Sequence, residues 1–238
     1  SMTQPTYLWN PPAVVSLPVV GSDARYPVTR IFCVGRNYQA HAIEMGMKGV
    51  DKATSRPFYF TKTPSTLVDS GASIPYPPGT ADFHYEMELV VAIGAPGFRV
   101  AEAEAHRLIY GYAAGLDMTR RDLQAVARDS GRPWDLSKNF ENAAVCGPIR
   151  PAAELGVLDS GAITLAVNGV IRQAGDLSQL IWNIREIIAD LSQFYHLQPG
   201  DLIYTGTPEG VGAVQPGDRI SGHIERVGDI TLAIGAAD

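Results

Sequence analysis

Cysteine is scarce here: 238 residues contain two, Cys33 and Cys146. Their separation matches no metal-ligand spacing. Two buried thiols in a reducing cytoplasm are a simpler reading than a disulfide. Long apolar runs are missing too, and no basic stretch followed by an apolar core marks a signal peptide, so no membrane partner is expected. Basic residues are outnumbered, 19 Lys and Arg against 25 Asp and Glu, for a net charge of −6. That balance argues against a nucleic-acid partner, whose phosphates demand clustered cations. No Gly-rich stretch ends in the Gly-Lys-Ser/Thr of a phosphate loop, and no Gly-x-Gly-x-x-Gly opens a helix, so ATP and NAD find no support. The opening Ser1-Met2 reads as a foreign Ser ahead of an initiator Met.

What is present suits a compact globule, with 45% hydrophobic and 18% charged residues. A chain this long buries roughly 70–75% of its unfolded surface and needs no staple to fold. Residues 3–28 are Pro-rich and without helical period, an extended or hairpin-like lead-in. Beyond them, short apolar runs between turn signals predict strands at 31–34, 57–60, 85–93, 109–116, 162–167, 201–205, 219–225 and 230–234. Helices are fewer. The apolar stripe Leu180, Ile181, Ile184, Ile187, Ile188 and Leu191 predicts one over 178–191. The Ala/Glu-rich 101–108 is helical by propensity. Residues 120–128 read as a helix capped by Thr119, with Asp122 in a capping box. The expectation is one strand-dominated α+β domain over 29–238 behind an N-terminal extension, 1–28.

The most informative segment runs from His84 to Ile93. Tyr85, Met87, Leu89, Val91 and Ile93 form one apolar face; the other begins with His84, Glu86 and Glu88 and turns apolar at Val90 and Ala92. Alternate residues of a strand lie roughly 6.5–7 Å apart on one side, so Glu86 and Glu88 can converge on one ion. Buried carboxylates repel, and no neighbouring Lys or Arg in the sequence offsets them. A hard divalent cation does, and all-oxygen ligation favours Mg²⁺ or Mn²⁺, with Ca²⁺ acceptable, over Zn²⁺. Asp117, after the small-residue run Tyr110–Leu116, supplies a third carboxylate. Three protein oxygens leave coordination positions open, as catalysis requires. The plainer alternatives are a solvated strand end for the glutamates and helix N-terminal charge for Asp117.

Three further features bear on chemistry. His41 and Glu44, spaced i, i+3, share a face if their segment is helical, and Glu44 can then orient the imidazole as a general base. Lys138, among apolar and turn residues, can face a carboxylate or an oxyanion. Thr205-Gly206-Thr207-Pro208-Glu209-Gly210 follows a strand and can offer backbone N–H groups and the Thr207 hydroxyl to an anion. A surface ion pair, a surface lysine and a tight turn are the respective alternatives.

Taken together, Cys33–Tyr38 with His41 and Glu44, Phe60–Ser65, His84–Leu89, Gly111–Asp122, Trp134–Lys138 and Asp201–Gly212 resemble, in order, the motifs of the fumarylacetoacetate hydrolase family, and within it the acylpyruvate-cleaving members. The resemblance implies a mixed β-sheet rolled into a barrel-like core, usually homodimeric. It implies metal ligation by Glu86, Glu88 and Asp117, a catalytic dyad of His41 and Glu44, and Lys138 and Thr207 against a small keto-acid substrate, with Arg121 and Gln124 as further contacts. It also implies hydrolysis of a C–C bond in an acylpyruvate, with fumarylpyruvate favoured by Tyr26–Val28, Tyr76–Asp82 and Gly131–Trp134. Oxaloacetate decarboxylation and dienoic diacid isomerisation use the same metal–enolate chemistry and remain alternatives. So does a non-catalytic module that binds a metal or keto acid.

Overall fold

The computed structural model describes residues 3–238; the Ser1-Met2 opening lies outside the described residues. Its centre is an eight-stranded mixed sheet. The path runs Phe58–Lys62, Arg30–Gly35, Asp201–Tyr204, Met87–Ile93, Ile109–Asp117, Ala144–Cys146 and Leu67–Asp69, with Arg150–Pro151 also on Ile109–Asp117. Asp201–Tyr204 pairs parallel with Arg30–Gly35, and Ala144–Cys146 parallel with Leu67–Asp69; the other pairings are antiparallel. A five-stranded sheet, in the order Val170–Asp176, Ala162–Val167, Arg219–Ile224, Gly228–Gly235 and Ala72–Pro75, packs on one face.

The alternation read in the sequence explains how both faces of the large sheet are covered. Met87, Leu89, Val91 and Ile93 enter the main core with Ile163, Leu165, Ile220 and Leu232 of the smaller sheet. Val90 and Ala92 point the opposite way, into a second cluster with Cys33, Ala113, Ala144, Leu202 and Tyr204. Phe60 and Leu67, from the two ends of the strand path, pack against that same cluster. The sheet is therefore curled, with the second cluster in its concave interior. Leu17, Val19, Tyr26 and Val28 of the lead-in belong to this cluster, and Ser16–Leu17 pairs with Tyr26–Pro27. Their apolar side chains close the interior from one side, as burial of apolar area requires. Both thiols are free and buried, so no disulfide forms. No helix of the described residues is long and apolar enough to cross a membrane.

Three helical expectations need correction. The segment 178–191 splits into the single turn Leu177–Gln179 and the helix Ile184–Leu191. Asn37 is the cause: its carbonyl accepts the Ile181 amide at 2.8 Å and its side-chain oxygen the Trp182 amide at 2.7 Å, which pulls that backbone out of helix. Asn183 and Glu186 then form the capping box that starts the second piece. Glu102–Leu108 is a run of 3-10 turns. The helix after Asp117 begins at Arg121 without a side-chain cap. Thr119 donates to the Asp117 carbonyl instead, and Asp122 accepts from Thr80 and the Ala81 amide. Short strands such as Leu67–Asp69 and the edge strand Val170–Asp176, whose Val170 and Ile171 are exposed, carry no alternation that sequence could reveal.

Gly115 lies against two buried side chains of the inner cluster. A Cβ there would lie 2.5 Å from Val90 Cγ2 and 2.8 Å from the Tyr204 ring. Gly115→Ala should therefore destabilise the fold by about 1–3 kcal/mol through overpacking. A lower urea midpoint at unchanged slope checks this.

Candidate active site

At one open end of the curled interior, Glu86, Glu88 and Asp117 converge: one carboxylate oxygen of each lies within 4.8 Å of the others. Glu88 lies in the strand Met87–Ile93, on the side of Val90 and Ala92, whereas Glu86 lies just before the strand begins. Asp117 ends the adjacent strand, and its amide donates to the Glu86 carbonyl at 2.9 Å. All three are almost wholly buried: Asp117 is 0% exposed, Glu88 1% and Glu86 4%.

Cations distant in sequence partly offset this charge. Lys138 Nζ donates to Glu86 at 3.0 Å, Asp117 at 3.1 Å and Thr119 Oγ1 at 2.8 Å. Arg121 donates to Glu86 at 2.8 Å, to His84 Nδ1 at 3.1 Å and to Gln124 Oε1 at 2.7 Å. Asp82 receives the other nitrogen of His84 at 2.8 Å, which fixes that ring beside Arg121. Lys62, which the sequence reading missed, lies 2.7 Å from Asp117 Oδ1, with hydrogens committed to the Met118 and Lys138 carbonyls. One signal for it existed: Phe60 and Lys62 share one face of a strand, so Lys62 follows an aromatic side chain that packs inward.

The two glutamates are driven apart electrostatically. Burial pushes Glu86 upward, but Lys138, Arg121 and His41 outweigh it and hold the carboxyl well below its ordinary range. Burial, reinforced by Asp117 and Glu86, pushes Glu88 well above that range; its only hydrogen bond among the described residues is from the Gly206 amide, at 2.9 Å. Burial also opposes the charge on Lys138, but Asp117 and Glu86 prevail and raise it. Asp117 Oδ1 is buried with the Lys62 ammonium as its sole close partner among the described residues. Three converging buried carboxylates, one of which resists ionisation, fit a hard divalent ion, for which an all-oxygen donor set is suited.

His41 and Glu44 do share a helix, Gln39–Glu44. Glu44 Oε2 lies 2.9 Å from His41 Nδ1, which leaves Nε2 facing the acids, 4.0 Å from Glu86 Oε2. The Gly210 amide donates to the other Glu44 oxygen at 2.8 Å. The glycine loop thus presents its amides to anions of the protein itself, Glu88 through Gly206 and Glu44 through Gly210. Only glycine suits Gly210, at φ +99°, where a Cβ would collide with the Arg172 carbonyl. Thr207 lines the cleft, but its hydroxyl donates to the Met87 carbonyl and accepts from Gln173. The cleft brings together His41, Glu86, Glu88, Arg121, Gln124, Lys138 and Thr207 with Arg36, Arg128 and the apolar Met45, Met47, Phe60 and Trp134.

The model of the fumarylacetoacetate (FAA) hydrolase C-terminal family matches residues 30–234. The chain belongs to the fumarylacetoacetate hydrolase family. It is 63% identical over 189 residues to a fumarylpyruvate hydrolase of Ralstonia sp, covering 79% of this chain and 98% of that relative. It is also 37% identical to an oxaloacetate tautomerase of Escherichia coli, over 84% of this chain and 90% of that one. The family fold is equally clear. A crystal structure of fumarylpyruvate hydrolase from Pseudomonas aeruginosa, in complex with Mn²⁺ and pyruvate, superposes with a TM-score of 0.93 at 45% identity, covering 97% of this chain and 100% of that one.

Because ligation needs ionised carboxylates, a cation entering this site displaces the proton held by Glu88. Affinity for Mn²⁺ should rise with pH, by up to about tenfold per unit, until Glu88 ionises unaided. Calorimetry in buffers of different ionisation enthalpy should register proton uptake by the buffer. Binding that is independent of pH and buffer contradicts the assignment of Glu88.

Proposed function

We propose that this protein is a divalent-metal-dependent hydrolase that cleaves a C–C bond of an acylpyruvate, with fumarylpyruvate as substrate and fumarate and pyruvate as products. The observation that carries the reading is a buried three-carboxylate cluster facing an oriented His–Glu pair across one cleft. Strong support comes from the 63% identity to the Ralstonia hydrolase and from the Mn²⁺ and pyruvate bound by the Pseudomonas enzyme.

In this scheme Glu86, Glu88 and Asp117 hold the cation, Mg²⁺ or Mn²⁺. When bound, it supplies a Lewis acid that bears the negative charge of the pyruvate enolate leaving group, an effect worth several kcal/mol. His41 is the general base. Glu44 takes the Nδ1 hydrogen and so leaves the Nε2 lone pair directed into the cleft, where it accepts a proton from the attacking water. Water then adds to the acyl carbonyl next to the bond that breaks. Lys138, whose ammonium bridges Glu86 and Asp117 at the cleft, answers the oxyanion on that carbonyl. Arg121 and Gln124, joined to each other, contact the substrate from the wall, as Thr207 does from the glycine loop. The imidazole returns its proton to the enolate carbon to complete pyruvate.

Oxaloacetate tautomerisation is the second reading, favoured by the Escherichia relative. It needs proton transfer at the carbon beside a keto group and no water. A panel of fumarylpyruvate, oxaloacetate and a simple ester, assayed with Mn²⁺, separates the readings. Release of fumarate and pyruvate is expected, with the ester refused. Glu86→Gln should lose Mn²⁺ affinity and activity together. His41→Ala should keep Mn²⁺ affinity while kcat falls by roughly 10²–10⁴; parallel loss of both contradicts the dyad.

The same reading includes a cytoplasmic homodimer. Two buried, reduced thiols suit a reducing compartment, and the exposed Tyr7, Leu8 and Trp9 of the lead-in suit a covering subunit. Light scattering coupled to gel filtration should return twice the 25.6 kDa chain mass.

A further inference from the structure

The cleft carries four cations, and they differ in what they already hold. Lys138 has all three hydrogens on Glu86, Asp117 and Thr119, and Arg121 is bonded to Glu86, His84 and Gln124. Arg36 makes no hydrogen bond or ion pair among the described residues; its guanidinium lies over the Phe58 ring at 5.5 Å. Arg128 donates one hydrogen to the Met45 carbonyl at 3.2 Å and stands 3.5 Å from the exposed Asp129, a pair that holds it weakly.

Their placement is equally distinct. Arg36 has left-handed backbone, φ +55°, at a residue that is not glycine, a conformation kept where the surroundings impose it. It leaves the line of the strand Arg30–Gly35 and lines the cleft. On the helix Arg121–Asp129, Arg121, Gln124 and Arg128 fall at i, i+3 and i+7, one face, and all three line the cleft. Arg128 therefore stands about 10 Å further along the helix axis than Arg121, whose guanidinium is on Glu86. That span is comparable with the length of an extended fumarylpyruvate. Met45, Met47, Phe60 and Trp134 supply apolar wall for the carbon chain. A carboxylate entering such a cleft needs a cationic partner, and the cations by the acids are already committed.

We propose that Arg36 and Arg128 form a subsite for a second carboxylate, the one at the far end of the acyl chain, and so select diacid acylpyruvates over those with a neutral acyl group. The proposal rests on the acylpyruvate reading for its substrate class and deepens it. The pyruvyl end goes to the acids and their cation; the distal carboxylate goes to the unpaired Arg36 and the weakly held Arg128, by hydrogen bonds that arginine forms in matched pairs.

The test compares fumarylpyruvate with acetylpyruvate, which lacks the distal carboxylate, in two measurements. The first is the ratio of kcat/KM for the two substrates in wild type, Arg36→Gln, Arg36→Lys, Arg128→Gln and the double Gln variant. The second is the ratio of Kd values from quenching of the intrinsic tryptophan fluorescence, to which Trp134 of the cleft wall contributes, measured on a His41→Ala background. Each Gln substitution should lower the preference for fumarylpyruvate by roughly 10–100-fold, the range for a hydrogen bond to a charged group. Arg36→Lys should fall between wild type and Gln. Equal binding of both ligands by the unsubstituted cleft overturns the proposal, as does a preference that survives the double variant. Turnover of neither ligand, with the binding preference intact and lost on substitution, sinks the hydrolase reading and leaves the subsite standing.

Discussion

Everything at the working end of this molecule follows from packing three carboxylates into the apolar interior of a curled sheet. Burial makes like charge expensive, and the fold answers with opposite charge drawn from three separate segments, in Lys62, Arg121 and Lys138. The answer is incomplete by design. Glu88 resists ionisation and has no cation of the protein in contact with it among the described residues, so a further cation has a carboxylate left to answer. Had the three basic residues fully satisfied the acids, the site would be a structural knot with no reason to take up an ion.

The curl itself is what brings these groups together. Phe60 and Leu67 come from opposite ends of the strand path, yet both pack on the cluster that holds Cys33, Val90 and Tyr204. A flat sheet of the same strands would leave Lys62 and Asp117 on distant strands. Gly115, facing Tyr204 and Val90, permits that closeness, and the lead-in covers the concave side from beyond the catalytic segments. The helix Gln39–Glu44 arrives from another direction, held by Asn37 and by the Glu44–Gly210 contact.

Much of this was legible in the sequence wherever a pattern is local. Alternation gave the strand Met87–Ile93 with both faces buried, and i, i+3 spacing gave the His41–Glu44 pair. The acidic triad followed from residue chemistry plus the ordered motifs. What was not legible is long-range. Nothing near Ile181 and Trp182 says that Asn37, far away in the chain, takes their amides and breaks a helix that periodicity favours. Nothing beside Gly206 and Gly210 says that the anions they bind belong to the protein. Lys62 drew no reading because its partner carboxylate lies on a strand that the local sequence cannot see. The distinction is physical: propensity and periodicity act over a few residues, whereas hydrogen bonds between segments are fixed only once the chain has closed on itself.

Asn37 has an implication for how such an enzyme can change. Its side chain and carbonyl bond to Trp182, Ile181 and Thr205, which anchors the start of the helix Gln39–Glu44 to two other segments. The far end of that helix runs into residues 46–57, which carry no helix or strand and are largely exposed. Met45 and Met47 of the cleft wall lie at this loose end. Lineages can thus exchange wall residues, or lengthen the loop, while the imidazole keeps its post. Chemistry and diet evolve on separate hinges, which is one way a single scaffold can host both a hydrolase and a tautomerase among its kin.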